Sequence, residues 1–128
     1  MIRTLHPTAV VTYAADGGYG HPDHVRTHEL TMAALRQAAA GGGATDGAWQ
    51  VPHLYAIVSD RPERPLEDGV ARLAVAGDLA AKTAAMRAHR TQITVEGERY
   101  ALSDDVWKDI SAVEEFLAID PHTVYEVP

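Results

Sequence analysis

Between Ala9 and Ala40 the hydrophobic pattern changes once, from a run to a helical repeat, and that change restricts the fold more than any other feature. Ala9-Val10-Val11-Thr12-Tyr13 is a short β-branched run, the signature of a buried strand. Ala14-Ala15-Asp16-Gly17-Gly18-Tyr19-Gly20 follows as a glycine-rich loop. A helix is expected from Pro22, whose fixed φ and missing N–H suit the first helical position. Val25, Met32, Leu35 and Ala39 mark its apolar side, and Gly41-Gly42-Gly43 ends it. Strand, glycine loop and helix in that order predict an α/β unit with function at the strand's carboxyl end.

The remaining elements fit the same class. His53 to Val58 predicts a second strand, and Ser59 to Gly77 a loop with a short strand or helical turn near Val70–Val75. Asp78 is a good N-cap for an alanine-rich helix to about His89. Thr91–Val95 and Arg99–Leu102 flank Glu96-Gly97-Glu98 as a hairpin. Val106, Ile110, Val113 and Leu117 fall at helical spacing and predict a last helix capped by Ser103 or Asp104, with an irregular tail from Asp120. No repeat or linker divides the chain, so 128 residues with 46% apolar content are read as a single domain, 1–128.

Composition narrows the partners. A net charge of -7 argues against a duplex-binding surface, which must neutralise phosphates. The absence of cysteine excludes disulfides, thiolate metal sites and thiol nucleophiles, leaving seven histidines and the carboxylates as metal donors. No apolar run approaches the roughly 20 residues that span a bilayer, and Met1-Ile2-Arg3-Thr4-Leu5 is no secretory stretch. The expectation is a soluble, cytoplasmic, acidic domain with neither nucleic acid nor membrane as partner.

Gly17-Gly18-Tyr19-Gly20-His21-Pro22-Asp23-His24 concentrates the chemistry. Two histidines and an aspartate stand at the strand-to-helix junction, where an α/β protein opens a cleft. Neutral imidazole is a zinc ligand, and an aspartate can fix a histidine tautomer. The plainer alternative is a capped helix start with solvated histidines. His24 and His28, four apart, share a helix face as a possible two-histidine clip, although a hydrogen-bonded histidine on the helix flank is the simpler reading of His28. The glycines do not form G-x-G-x-x-G, which removes a dinucleotide site. Lys82 and His89, seven apart, share a helix face and fit either a substrate contact or surface pairing. Trp107, with Val106, Ile110 and Phe116, reads as core or docking surface.

Val10-Val11-Thr12-Tyr13 followed by Gly17 to Val25 resembles a conserved block of the PIG-L/LmbE-like zinc deacetylases, most closely the branch acting in mycothiol biosynthesis. Ala81-Lys82, Met86, His89, Thr91, Gln92 and Ile93 are similar to a later block of that family. The resemblance implies part of a Rossmann-like layered fold with a carboxyl-terminal hairpin and helix. It assigns zinc binding to His24, oxyanion stabilisation to His21, support of that histidine to Asp23 and a pocket-lining role to Tyr19. The implied reaction is hydrolysis of the acetamide of an N-acetylglucosaminyl-inositol. A mycothiol S-conjugate substrate, or a non-catalytic interaction module built on the same scaffold, are the alternatives.

The family's other two zinc ligands and its general base lie in a His-Pro-Asp-Asp block, which this sequence lacks. Its other His-Pro pair, His6-Pro7, continues into Thr8, and His6 is read as a surface histidine. The chain is therefore expected to resemble the carboxyl-terminal half of the enzyme, with one of three zinc ligands. Alone it is expected to be inactive, with the missing half or a second copy as partner.

Overall fold

The computed structural model describes residues 1–41, 47–58 and 71–126. Gly42 and Gly43 of the helix terminator, and most of the expected Ser59–Gly77 loop, lie outside the described residues. The chain divides into two compact units, Met1–Leu73 with Glu115–Pro128, and Ala74–Glu114.

In the first unit a single-turn helix α1 (Ile2–Leu5) leads into strand β1 (Ala9–Tyr13), helix α2 (Pro22–Ala40) and strand β2 (His53–Ile57). β1 and β2 are parallel, with Val10 opposite Leu54 and Thr12 opposite Ala56. Because side chains alternate along a strand, these four share one face. α2 covers that face. Met32 and Leu35 of the helix cluster with Val51, Leu54 and Val124, and Val10, Trp49, Ile119 and Tyr125 pack around them. A hydrogen bond from the hydroxyl of Thr12, the buried residue of β1, to that of Thr31, 3.3 Å, joins the strand to α2. The Trp49 indole N–H donates to the Pro7 carbonyl at 3.1 Å, and the Val51 N–H to the Tyr125 hydroxyl at 2.9 Å. The opposite face carries Val11, 53% exposed, with half-buried Tyr55 and Ile57.

Strand β3 (Arg72–Ala76) resolves the strand-or-turn alternative near Val70–Val75 in favour of a strand. Helix α3 (Leu79–Ala88) starts where the Asp78 carboxylate accepts the Ala81 N–H at 2.9 Å. Strands β4 (Thr94–Glu96) and β5 (Arg99–Ala101) form the expected hairpin, and β6 (Lys108–Asp109) extends it into a three-stranded antiparallel sheet. In this second unit Ala101 and Ile110 are the buried apolar residues.

The expected last helix through Val106, Ile110, Val113 and Leu117 is not formed. Val113–Ile119 is strand β7, antiparallel to β2 with Leu117 opposite Ala56 and Phe116 opposite Ile57. The four-stranded sheet has the order β1-β2-β7-β3. The helical spacing is a coincidence of segments in different settings: Ile110 follows β6 and donates its N–H to the Glu98 carbonyl at 2.8 Å, while Leu117 sits in the other sheet. The tail expected to be irregular contains one helical turn, α4 (His122–Tyr125), which places Val124 in the core. The result is a mixed α/β architecture with helices against a mixed sheet. No helix among the described residues is long and apolar enough to cross a membrane.

Candidate functional site

The site forms where β1 ends and α2 begins. The loop between them turns through residues in the left-handed region, and one of these is required to be glycine. Gly17 has φ +70°, and a Cβ there would stand 2.8 Å from the Val25 nitrogen and 2.9 Å from Val25 Cγ2. This close approach seats the loop on the first turn of the helix. The Asp16 carboxylate accepts the Gly18 N–H at 2.7 Å, which tightens the turn further.

His21 is the N-cap of α2, and Pro22 fills the first helical position. The His21 Nδ1 accepts the main-chain N–H of Asp23 at 3.2 Å. A nitrogen that accepts carries no proton, so the network assigns the ring proton to Nε2. His24, the third residue of α2, is held the opposite way. Its Nδ1 faces the Gly17 carbonyl at 3.1 Å. A carbonyl only accepts, so Nδ1 carries the proton and Nε2 presents a lone pair. The two rings, with centroids 4.9 Å apart, thus offer one donor and one acceptor side by side.

Aromatic contacts hold this pair. Tyr13 stacks on His24 with centroids 4.0 Å apart and planes 6° from parallel. Tyr19, 49% exposed, meets His24 edge-on at 5.2 Å and His21 at 6.0 Å. The structure therefore gathers Tyr19, His21 and His24 in one cluster. Asp23 joins it through its main-chain N–H, with its carboxylate in the first turn of α2. There it adds negative charge at the positive end of the helix dipole.

His28 donates through Nδ1 to the Tyr13 carbonyl at 2.8 Å, a hydrogen-bonded histidine on the flank of α2. His6 is exposed, in the left-handed region at φ 45°, with its ring 4.4 Å from that of Trp49. In the second unit Lys82 donates to the Ser111 carbonyl at 2.9 Å and pairs with Glu114, while exposed His89 closes the end of α3. Trp107 lies beneath the Arg99 guanidinium at 5.9 Å.

Sequence reasoning missed Tyr13, whose ring and carbonyl each meet a histidine, and the Gly17 carbonyl. The rule that places α/β sites at strand carboxyl ends was the available signal for Tyr13, the last residue of β1. Among the described residues, no three histidine, aspartate or glutamate side chains converge as a metal site. His24 Nε2 thus fits a metal ion as one donor, with further donors required from elsewhere.

No protein-family model matches the chain. Individual relatives do. A 1D-myo-inositol 2-acetamido-2-deoxy-alpha-D-glucopyranoside deacetylase from Nocardiopsis dassonvillei is 40% identical over 146 aligned positions, covering 91% of this chain and 50% of the relative. Proteins of the same name from Thermobifida fusca and Kineococcus radiotolerans are 37% and 38% identical, covering 91% and 75% of this chain and 50% and 35% of their own lengths. The first alignment, at 146 positions, is longer than the 128-residue chain, so that relative carries stretches absent here. This chain is thus similar over most of its length to proteins named 1D-myo-inositol 2-acetamido-2-deoxy-alpha-D-glucopyranoside deacetylase, and spans about half the length of the curated relatives it matches.

Proposed function

We propose that the chain supplies one half of the active site of a zinc-dependent N-deacetylase acting on the acetamide of an N-acetylglucosaminyl-inositol. The observation that carries this reading is the opposed pair of tautomers at the start of α2: a lone pair on His24 Nε2 and an N–H on His21 Nε2. Amide hydrolysis needs both kinds of group. Water adds to the acetamide carbon, charge builds on the carbonyl oxygen, and the C–N bond breaks to release acetate and an amine. His21 Nε2–H is suited to donate to that developing oxyanion. Tyr19, exposed beside both rings, lines the approach, and Asp23 and the Gly17 carbonyl orient the histidines. His24 is the residue that would hold zinc, which when bound supplies Lewis-acid activation of water and of the carbonyl.

The other ligands and the general base would come from polypeptide bearing a His-Pro-Asp-Asp block, so the chain alone should show no turnover. Co-expression with such a segment tests the reading. The expected assembly retains about one zinc and releases acetate from the acetamido-sugar. In it, His24→Ala loses the metal. His21→Ala keeps the metal and lowers kcat by about 10²–10³, the usual cost of an oxyanion donor. An assembly with neither zinc nor acetate release overturns the proposal. A metal-free, self-associated chain supports instead a non-catalytic interaction module, a reading favoured by the exposure of Val11 on the sheet face opposite α2.

A further inference from the structure

We propose that Tyr13 and His28 are positioning residues for His24, a two-step relay through which α2 fixes the imidazole that its own first turn carries. The relay rests on the deacetylase reading of His24 as a metal donor and adds the parts that aim its ring. His28 takes no part in the hydrolysis proposed above, yet its ring is half-buried and anchored by a 2.8 Å contact. A carbonyl only accepts, so His28 donates from Nδ1 and ties the last peptide group of β1 to the helix. The residue that owns this carbonyl is Tyr13. Its ring lies on that of His24 with centroids 4.0 Å apart and planes 6° from parallel. His24 and His28 are four residues apart on α2, about one turn. The helix therefore carries both the ring to be aimed and the donor that holds the plate beneath it.

The contacts of His24 remove different motions. The Gly17 carbonyl, 3.1 Å from Nδ1, sets the direction of the ring within its plane. Tyr13 covers one face and opposes tilting. Tyr19 meets the ring edge-on at 5.2 Å but is itself 49% exposed, which makes it the looser neighbour. Control of tilt thus falls to Tyr13, and Tyr13 stands where a strand is weakest. Among the described residues β1 has β2 as its one neighbour strand, and Tyr13 is its terminal residue. Chain segments fray first at such ends. The His28 bond supplies the restraint that a second neighbouring strand would give. Partners of this outer kind orient metal-binding histidines, and their loss costs about 10–100-fold in metal affinity or activity.

Proton NMR of the whole metal-free chain tests the relay apart from the deacetylase reading. Stacking on Tyr13 moves the His24 ring-proton signals upfield. Tyr13→Phe keeps the aromatic face and should keep that displacement, whereas Tyr13→Leu should abolish it with circular dichroism unchanged. His28→Asn retains a side-chain N–H for the Tyr13 carbonyl and should preserve the displacement, which His28→Leu should reduce. In the assembly complemented with a His-Pro-Asp-Asp segment, Tyr13→Leu and His28→Leu should each weaken zinc affinity by about 10–100-fold, and Tyr13→Phe and His28→Asn should restore it. His24 signals indifferent to Tyr13→Leu overturn the relay, and equal effects of His28→Leu and His28→Asn overturn its second step. If Tyr13→Leu does not fold, the His28 pair decides. Should the complemented assembly hold no zinc at all, the deacetylase reading falls, while the signals of the metal-free chain still report whether Tyr13 and His28 fix the ring.

Discussion

At the scale of single residues, the histidines are set by atoms that carry no charge. Gly17 is the clearest case, because its φ of +70° and the 2.8 Å approach to the Val25 nitrogen are both closed to a Cβ. Left-handed backbone costs an alanine about 1 kcal/mol or more, and overpacking adds to it. Gly17→Ala should therefore destabilise the chain by about 2 kcal/mol or more in denaturant unfolding. It should also broaden the His24 imidazole NMR signals, because the carbonyl that holds Nδ1 moves. An unchanged midpoint and unchanged imidazole signals would show that the loop adapts freely. The cluster's polar members, Tyr19, His21, Asp23 and His24, were readable from residue types alone. Tyr13 was not, because a strand residue in a sequence does not disclose which ring it will lie against.

Among the elements, agreement with the sequence follows how local the signal is. β1, α2 and α3 are announced by residues inside or directly beside them: a β-branched run, a proline at the first turn, an aspartate cap. β7 is not. Glu114 and Glu115 are poor strand formers by propensity, and they are accommodated by neighbours distant in sequence. Glu114 pairs with Lys82, Glu115 with Arg72 at 3.8 Å, and the Glu115 carbonyl accepts the Val58 N–H at 3.1 Å. A periodicity argument sees none of those partners. The Asp78 cap is testable by itself. Asp78→Ala removes the acceptor for the Ala81 N–H and should cost about 1 kcal/mol, while Asp78→Asn keeps most of the stability. Thermal melts of the two variants should differ, and equal losses would show that charge rather than the hydrogen bond stabilises the helix start.

Across the whole molecule, the two compact units differ in what they bury. Met1–Leu73 with Glu115–Pro128 holds a cluster of Met32, Leu35, Val51, Leu54 and Val124, whereas Ala74–Glu114 buries Ala101 and Ile110. Less apolar burial means less to oppose chain entropy. Each unit contains one of the two tryptophans, Trp49 in the first and Trp107 in the second. In urea, fluorescence of the Trp49→Phe protein, reporting Trp107, should change at a lower concentration than that of the Trp107→Phe protein. Coincident midpoints would mean that the chain unfolds as one cooperative body. The larger unit also holds Tyr13, whose hold on two imidazoles has a corollary. The torsional freedom of those rings is surrendered when the chain folds, so the cost of ordering them is met before any ligand arrives.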